Sequence, residues 1–127
     1  MTIAEVSKKY DISADTLRYY ERIGLIPPVP RSKSGIRDYD EVSCQWIEMM
    51  KCMRKAGVQI EALVEYVKLF QEGDTTIEAR KEILIEQKER MEQKMEEIQS
   101  SLNLLNTKIE RYEEIMVAAE KRLLRKE

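Results

Sequence analysis

Leu17-Arg-Tyr-Tyr-Glu-Arg-Ile-Gly-Leu-Ile-Pro-Pro-Val-Pro-Arg-Ser-Lys-Ser-Gly-Ile-Arg-Asp-Tyr39 is the stretch that decides the fold. Between Arg18 and Arg37 lie five basic residues, Arg18, Arg22, Arg31, Lys33 and Arg37, and one acid, Glu21, a local charge of +4 in a chain whose net charge is −2. Tyr19, Tyr20 and Tyr39 are interleaved with these cations. Cations and hydroxyls held at fixed positions are what a phosphate backbone requires. The first half looks helical. The second carries Pro27, Pro28, Pro30 and Gly35, which predicts a turn-rich excursion. A short helix followed by a basic hairpin outlines a winged helix-turn-helix.

The flanks complete that outline. Thr2-Ile-Ala-Glu5 is a capping box opening a first helix with Ile3, Val6 and Tyr10 on one face. Asp11-Ile12 makes the turn, and Ser13 caps a second helix, about Ala14 to Ile23, ended by Gly24. Leu17 and Tyr20 point inward on it, with Ile23 beside them. Thr16, Arg18, Tyr19 and Arg22 point outward, as candidates for the major groove of duplex DNA and its flanking phosphates. The wing spans about 25–39, with a turn at Ser34-Gly35, and Arg31, Lys33 and Arg37 reach the adjacent backbone. A surface loop with incidental charge is the simpler account of the wing alone. Its pairing with a capped helix pair favours DNA.

Two further helices occupy about 41–72. Asp40 caps one from Glu41 to Ala56, with Val42, Trp46, Ile47, Met49, Met50 and Met53 as its apolar surface. The other, Ile60 to Gln71, turns Ile60, Leu63, Val64, Val67 and Phe70 inward and closes at Gly73. Thr75-Thr-Ile-Glu78 reads as a second capping box. From there to the C-terminus the chain contains neither glycine nor proline. Met91, Met95, Ile98, Leu102, Leu105, Ile109, Tyr112 and Met116 recur in steps of four and three, continued by Ala119 and Leu123: a heptad seam. A continuous helix from Thr76 to Leu123 would be about 70 Å long. A stripe of that length needs a second chain, most simply an identical one. Ile115, Val117 and Leu124 widen the stripe near its end, which predicts that the last turns dock on a larger body. Flanking charges mildly favour a parallel pair, but each such pair is worth only tenths of a kcal/mol. The expected division is 1–74, a winged head, and 75–127, a coiled-coil dimerisation helix, in an all-α fold.

The 36% charged composition with four glycines suits long helices. No apolar run is long enough for a membrane span and there is no signal-peptide core, so a cytoplasmic location and no membrane partner are expected. Cys44 and Cys52, eight residues apart on one helix, sit about 12 Å apart and do not bridge. With no histidine, no phosphate-binding glycine loop and no metal-ligand set, neither an enzyme nor a cofactor is expected.

Thr16-Leu-Arg-Tyr-Tyr-Glu-Arg-Ile-Gly-Leu-Ile-Pro27, Arg31 and Gly35-Ile-Arg-Asp-Tyr39 resemble the signature of the MerR family of bacterial transcription regulators. Gly57 with Ile60 to Leu63 is similar to that family's next helix junction, and the final helix to its dimerisation helix. Ile36 departs from the pattern, since many members carry an aromatic residue there. The resemblance implies a homodimer joined by an antiparallel coiled coil. It also implies binding to a pseudo-palindromic promoter with an overlong −35/−10 spacer, which the activated protein bends and untwists for RNA polymerase. It further implies Arg18, Tyr19, Arg37 and Tyr39 as principal DNA contacts.

Metal-sensing members carry cysteines at and after the dimerisation helix, and drug-sensing members a separate ligand domain. This sequence has neither, which leaves a thiol. Cys52 lies among Lys51, Arg54 and Lys55, which favour a thiolate, at a helix position that opposes it. As residue chemistry alone, a small packing side chain is the simpler account. The resemblance to a single-cysteine branch that answers aldehydes, alcohol-dehydrogenase induction or nitrosative stress implies a sensor. Cys44 falls on the buried face. A non-covalent apolar effector is the alternative signal, and an adaptor coiled coil the alternative class.

Overall fold

In the computed structural model, residues 1–124 are described, and they form six α-helices without a strand. They are α1 (Ile3–Tyr10), α2 (Ala14–Ile23), α3 (Glu41–Lys55), α4 (Ile60–Glu72), α5 (Ile77–Glu110) and α6 (Val117–Leu123). A 3-10 turn, Asp74–Thr76, precedes α5, and a π-type turn, Tyr112–Met116, precedes α6. The chain divides into two compact units, Met1–Gln87 and Lys88–Glu127. The first therefore includes the opening turns of α5.

Local chemistry explains the head's helix boundaries. The Glu5 amide donates to Thr2 Oγ1 at 3.2 Å and the Thr2 amide to Glu5 Oε1 at 3.0 Å, so α1 opens with the expected reciprocal cap. It ends at Asp11, whose φ of 52° turns the chain. Ser13 Oγ accepts the Thr16 amide at 3.1 Å and starts α2. Gly24, at φ 81°, ends α2, and a side chain there would be strained whatever the space. Asp40 Oδ1 accepts the Ser43 amide at 2.8 Å and starts α3.

The head core joins all four of these helices and the wing's first arm. Val6, Leu17, Leu25, Ile26, Ile47, Met50, Leu63 and Val67 are buried, with Ile12, Val29 and Val58 around them. Cys44 is buried as expected. Two apolar assignments fail. Val42 is 59% exposed at the first turn of α3, where the core does not reach. Phe70 is 45% exposed, held edge-on to Trp46 with ring centroids 4.9 Å apart and with the Arg80 guanidinium over its face.

The capping box expected at Thr75-Glu78 does not form. Thr76 lies in the 3-10 turn and its hydroxyl donates backward, to the Leu69 and Gly73 carbonyls, each at 2.7 Å. It closes the end of α4 instead of opening α5. Gln87, also buried, fixes the first turns of α5 within the head: its Oε1 accepts the Gln59 amide and its Nε2 donates to Gln59 Oε1, both at 3.1 Å.

The continuous helix expected to Leu123 is interrupted. Arg111 takes φ −110° and ψ 25°, outside helical geometry. The wider turn that follows is held by Arg111 Nε on Glu114 at 3.3 Å and by the Tyr112 hydroxyl donating to Glu120 at 2.7 Å. The heptad spacing passes through this region without a glycine or proline to mark the break.

Candidate nucleic-acid interface

The recognition face rests on α2. Its apolar side is anchored by Leu17, which is fully buried, so Arg18, Tyr19 and Arg22 are exposed on the other side. Arg18 Nη1 bonds Asp15 at 2.9 Å, an exposed pair of little net worth that a phosphate can displace. The Arg22 guanidinium lies 5.3 Å from the Tyr19 ring centroid, which stiffens both side chains. Thr16 is half-buried, its hydroxyl accepting from Ser13.

The wing is a narrow loop closed by one antiparallel bridge between Arg31 and Arg37. Ser32 N donates to the Ile36 carbonyl at 2.8 Å, and Gly35 turns the tip at φ 83°. Arg31 Nη1 donates to the Gly35 carbonyl at 2.9 Å, while Lys33 is exposed at the tip.

Two residues of the expected interface sit differently from their neighbours. Arg37 is half-buried, its Nε donating to Glu21 Oε1 at 2.6 Å. Tyr39 is 1% exposed, and its buried hydroxyl has no hydrogen-bond partner among the described residues. Burial pushes the Tyr39 phenol up, only partly opposed by the nearby charges of Arg37, Arg18 and Arg31.

Glu21 stands in the sequence only as an acid in a basic run, and its bonding becomes visible in the fold. Its second oxygen accepts the Val29 amide at 2.6 Å. Burial by itself would raise its carboxyl. The bonds from Arg37 and Val29, with the charges of Arg37 and Arg31, outweigh burial and hold it below the ordinary glutamate value.

The remaining candidates lie elsewhere. Cys52 is exposed on α3. The neighbouring Lys51 ammonium donates to the Tyr10 carbonyl at the end of α1, and Arg54 to the Val58 carbonyl at 2.7 Å in the α3–α4 turn. The helices α3 and α4 also border an open groove of about 340 Å³ lined by Val42, Gln45, Trp46, Met49, Tyr66 and Phe70. In the second unit Met95, Ile98, Leu102, Leu105, Ile109 and Tyr112 are all exposed, while Met91 and Met116 are half-buried. Among the described residues no group of three or more histidine, cysteine, aspartate or glutamate side chains could hold a metal. None of the described helices is long and apolar enough to cross a membrane.

A capped helix-turn-helix with a basic wing, in an otherwise helical chain, defines a DNA-binding transcription regulator. Residues 1–69 match the family described as MerR HTH family regulatory protein. The chain is 62% identical over 91 residues to the HTH-type transcriptional regulator AdhR of Bacillus subtilis, a match covering 72% of this chain and 65% of that relative. It also resembles a crystal structure from Listeria monocytogenes assigned to the MerR family transcriptional regulators, with TM-score 0.78, 43% identity and coverage of 97% and 93% of the two chains. A crystal structure of HiNmlR, described as a MerR family regulator lacking the sensor domain and bound to promoter DNA, matches with TM-score 0.71, 29% identity and coverage of 91% and 92%. The chain belongs to the MerR family of helix-turn-helix regulatory proteins.

Proposed function

We propose that this regulator binds a pseudo-palindromic promoter as a homodimer, its α5 seams paired antiparallel, and activates transcription by distorting an overlong −35/−10 spacer for RNA polymerase. The observation that carries the reading is the exposed cationic face formed by Arg18, Tyr19 and Arg22 on α2, with Arg31 and Lys33 on the wing. Thr16, Arg37 and Tyr39 complete the proposed surface, the last two supporting it from within. The dimer is supported by the apolar seam, which a solvated helix would not keep. Two heads joined by one rod fit a two-fold symmetric DNA site.

The signal we propose is an aldehyde captured by Cys52. The thiolate sulfur bonds to the carbonyl carbon, the C=O π pair moves to oxygen, and that oxygen takes a proton from water to give a hemithioacetal. The exposure of Cys52 supports access, and its place beside Lys51 supports transmission, because Lys51 holds the end of α1 that leads into α2. The groove between α3 and α4 favours a second reading, in which an apolar effector binds there without bond formation.

The test is promoter activation by an aldehyde in cells carrying wild-type protein or Cys52→Ser. Loss of the response in the variant, with operator binding retained, supports the thiol. A full response in the variant refutes it and leaves the groove.

A further inference from the structure

Glu21 is the one acid between Arg18 and Arg37, and the fold turns it inward, with a side chain 13% exposed. Its two oxygens hold two different parts of the wing. Oε2 takes the backbone amide of Val29 on the entering arm, and Oε1 takes the side chain of Arg37 on the returning arm. The Arg31–Arg37 bridge joins those arms. Glu21 itself belongs to α2, next to Arg22 and one turn after Arg18. One carboxylate thus fastens both arms of the wing to the recognition helix. It does so through Arg37 Nε, while the Nη donors of Arg37 make no hydrogen bond among the described residues. A guanidinium gripped on one edge by a carboxylate keeps its other donors oriented for a second anion.

We infer that Glu21 is a positioning residue for DNA binding: its clamp on Val29 and Arg37 presents the wing and α2 to successive phosphates as one rigid surface. The inference rests on the DNA-binding reading proposed above. It also makes a prediction opposite in sign to simple electrostatics. A carboxylate near a phosphate backbone repels it, so removing the charge should tighten binding if Glu21 does nothing else. If Glu21 positions the wing, removing the charge loosens binding.

Glu21→Gln keeps the side chain's size and one acceptor, but sets its NH₂ against a donor, either Arg37 Nε or the Val29 amide. Wild type and variant are titrated with a mixed-sequence duplex and with the DNA upstream of the gene, across about 50 to 200 mM salt. The variant is expected to bind roughly tenfold or more weakly, as for loss of a charge-assisted bond. Its slope of log K on log salt should be shallower by about 0.9 for each phosphate contact that disengages. Binding equal to or tighter than wild type overturns the inference. If Glu21→Gln does not fold by circular dichroism, Glu21→Asp decides. It keeps the charge but is one methylene shorter, so weaker binding with a shallower slope supports positioning and wild-type behaviour overturns it. If wild type itself shows no salt-dependent binding, the functional reading fails and the inference falls with it.

Discussion

Replacing Leu102 by lysine probes the seam at a residue 47% exposed in the single chain. Full burial of a leucine is worth about 1.5–3 kcal/mol, so completing the burial of a half-covered one contributes roughly 1 kcal/mol. A lysine ammonium placed against an apolar partner adds a further ~1–2 kcal/mol even when its stem lets the charge reach water. In a two-fold pair the change occurs twice, which gives roughly 4–6 kcal/mol per dimer. That corresponds to a dissociation constant about 10³–10⁴ times larger. Sedimentation equilibrium over a wide concentration range reads it directly, and circular dichroism checks that the head stays folded. A leucine-to-lysine change at an exposed position away from the seam, Leu104→Lys, is the control. Association unchanged by Leu102→Lys, or weakened equally by both substitutions, would refute the seam as the dimer contact.

Three further outcomes follow from the head. Arg18→Ala should weaken DNA binding across all sequences alike and reduce the salt slope by about 0.9 per head; anisotropy titrations at several salt concentrations measure both, and an unchanged slope would remove Arg18 from the phosphate contacts. Ser13→Ala deletes the acceptor for the Thr16 amide at the start of α2, and should cost about 1 kcal/mol, lowering the Tm by roughly 4–8 °C in a unit of this size; an unshifted melting curve would argue against the cap. Because the Glu21 carboxyl is held below its ordinary value in the folded chain, the unfolded chain takes up its proton first, and the stability it supplies is present above the ordinary value and lost as pH falls. The Tm gap between wild type and Glu21→Gln should therefore be largest near neutrality and close below about pH 4.3. A gap that widens in acid would contradict the assigned direction.

What could be read from the sequence was what short-range chemistry determines. Thr2, Ser13 and Asp40 cap helices through amides three residues away, and Gly24 and Gly73 end them, so the starts of α1 to α3 and the ends of α2 and α4 follow from neighbouring residues alone. The outward residues of α2 were legible for the same reason, since helical periodicity fixes their face. What escaped was set by contacts between distant residues. Glu21 meets Arg37 sixteen residues away, and Gln59 meets Gln87 across twenty-eight. No local pattern distinguishes such a carboxylate or amide from a solvated one. Tyr39 shows the same limit: its motif marks it as a DNA contact, but packing buries its ring. The expectation of a capping box at Thr75 fails because a Thr-x-x-Glu spacing does not say whether the preceding residues take a 3-10 turn, as Asp74–Thr76 do. The break at Arg111 was missed because heptad spacing reports which face is apolar and says nothing of helix continuity through a π-type turn.

The central claim is that two copies hold promoter DNA through their amino-terminal heads. A hydroxyl-radical footprint of the protein on the DNA upstream of its gene tests it most directly. The account predicts two protected segments related by two-fold symmetry, lying within the promoter spacer and fading together as salt is raised. A single protected segment, or none at low ionic strength, would contradict it.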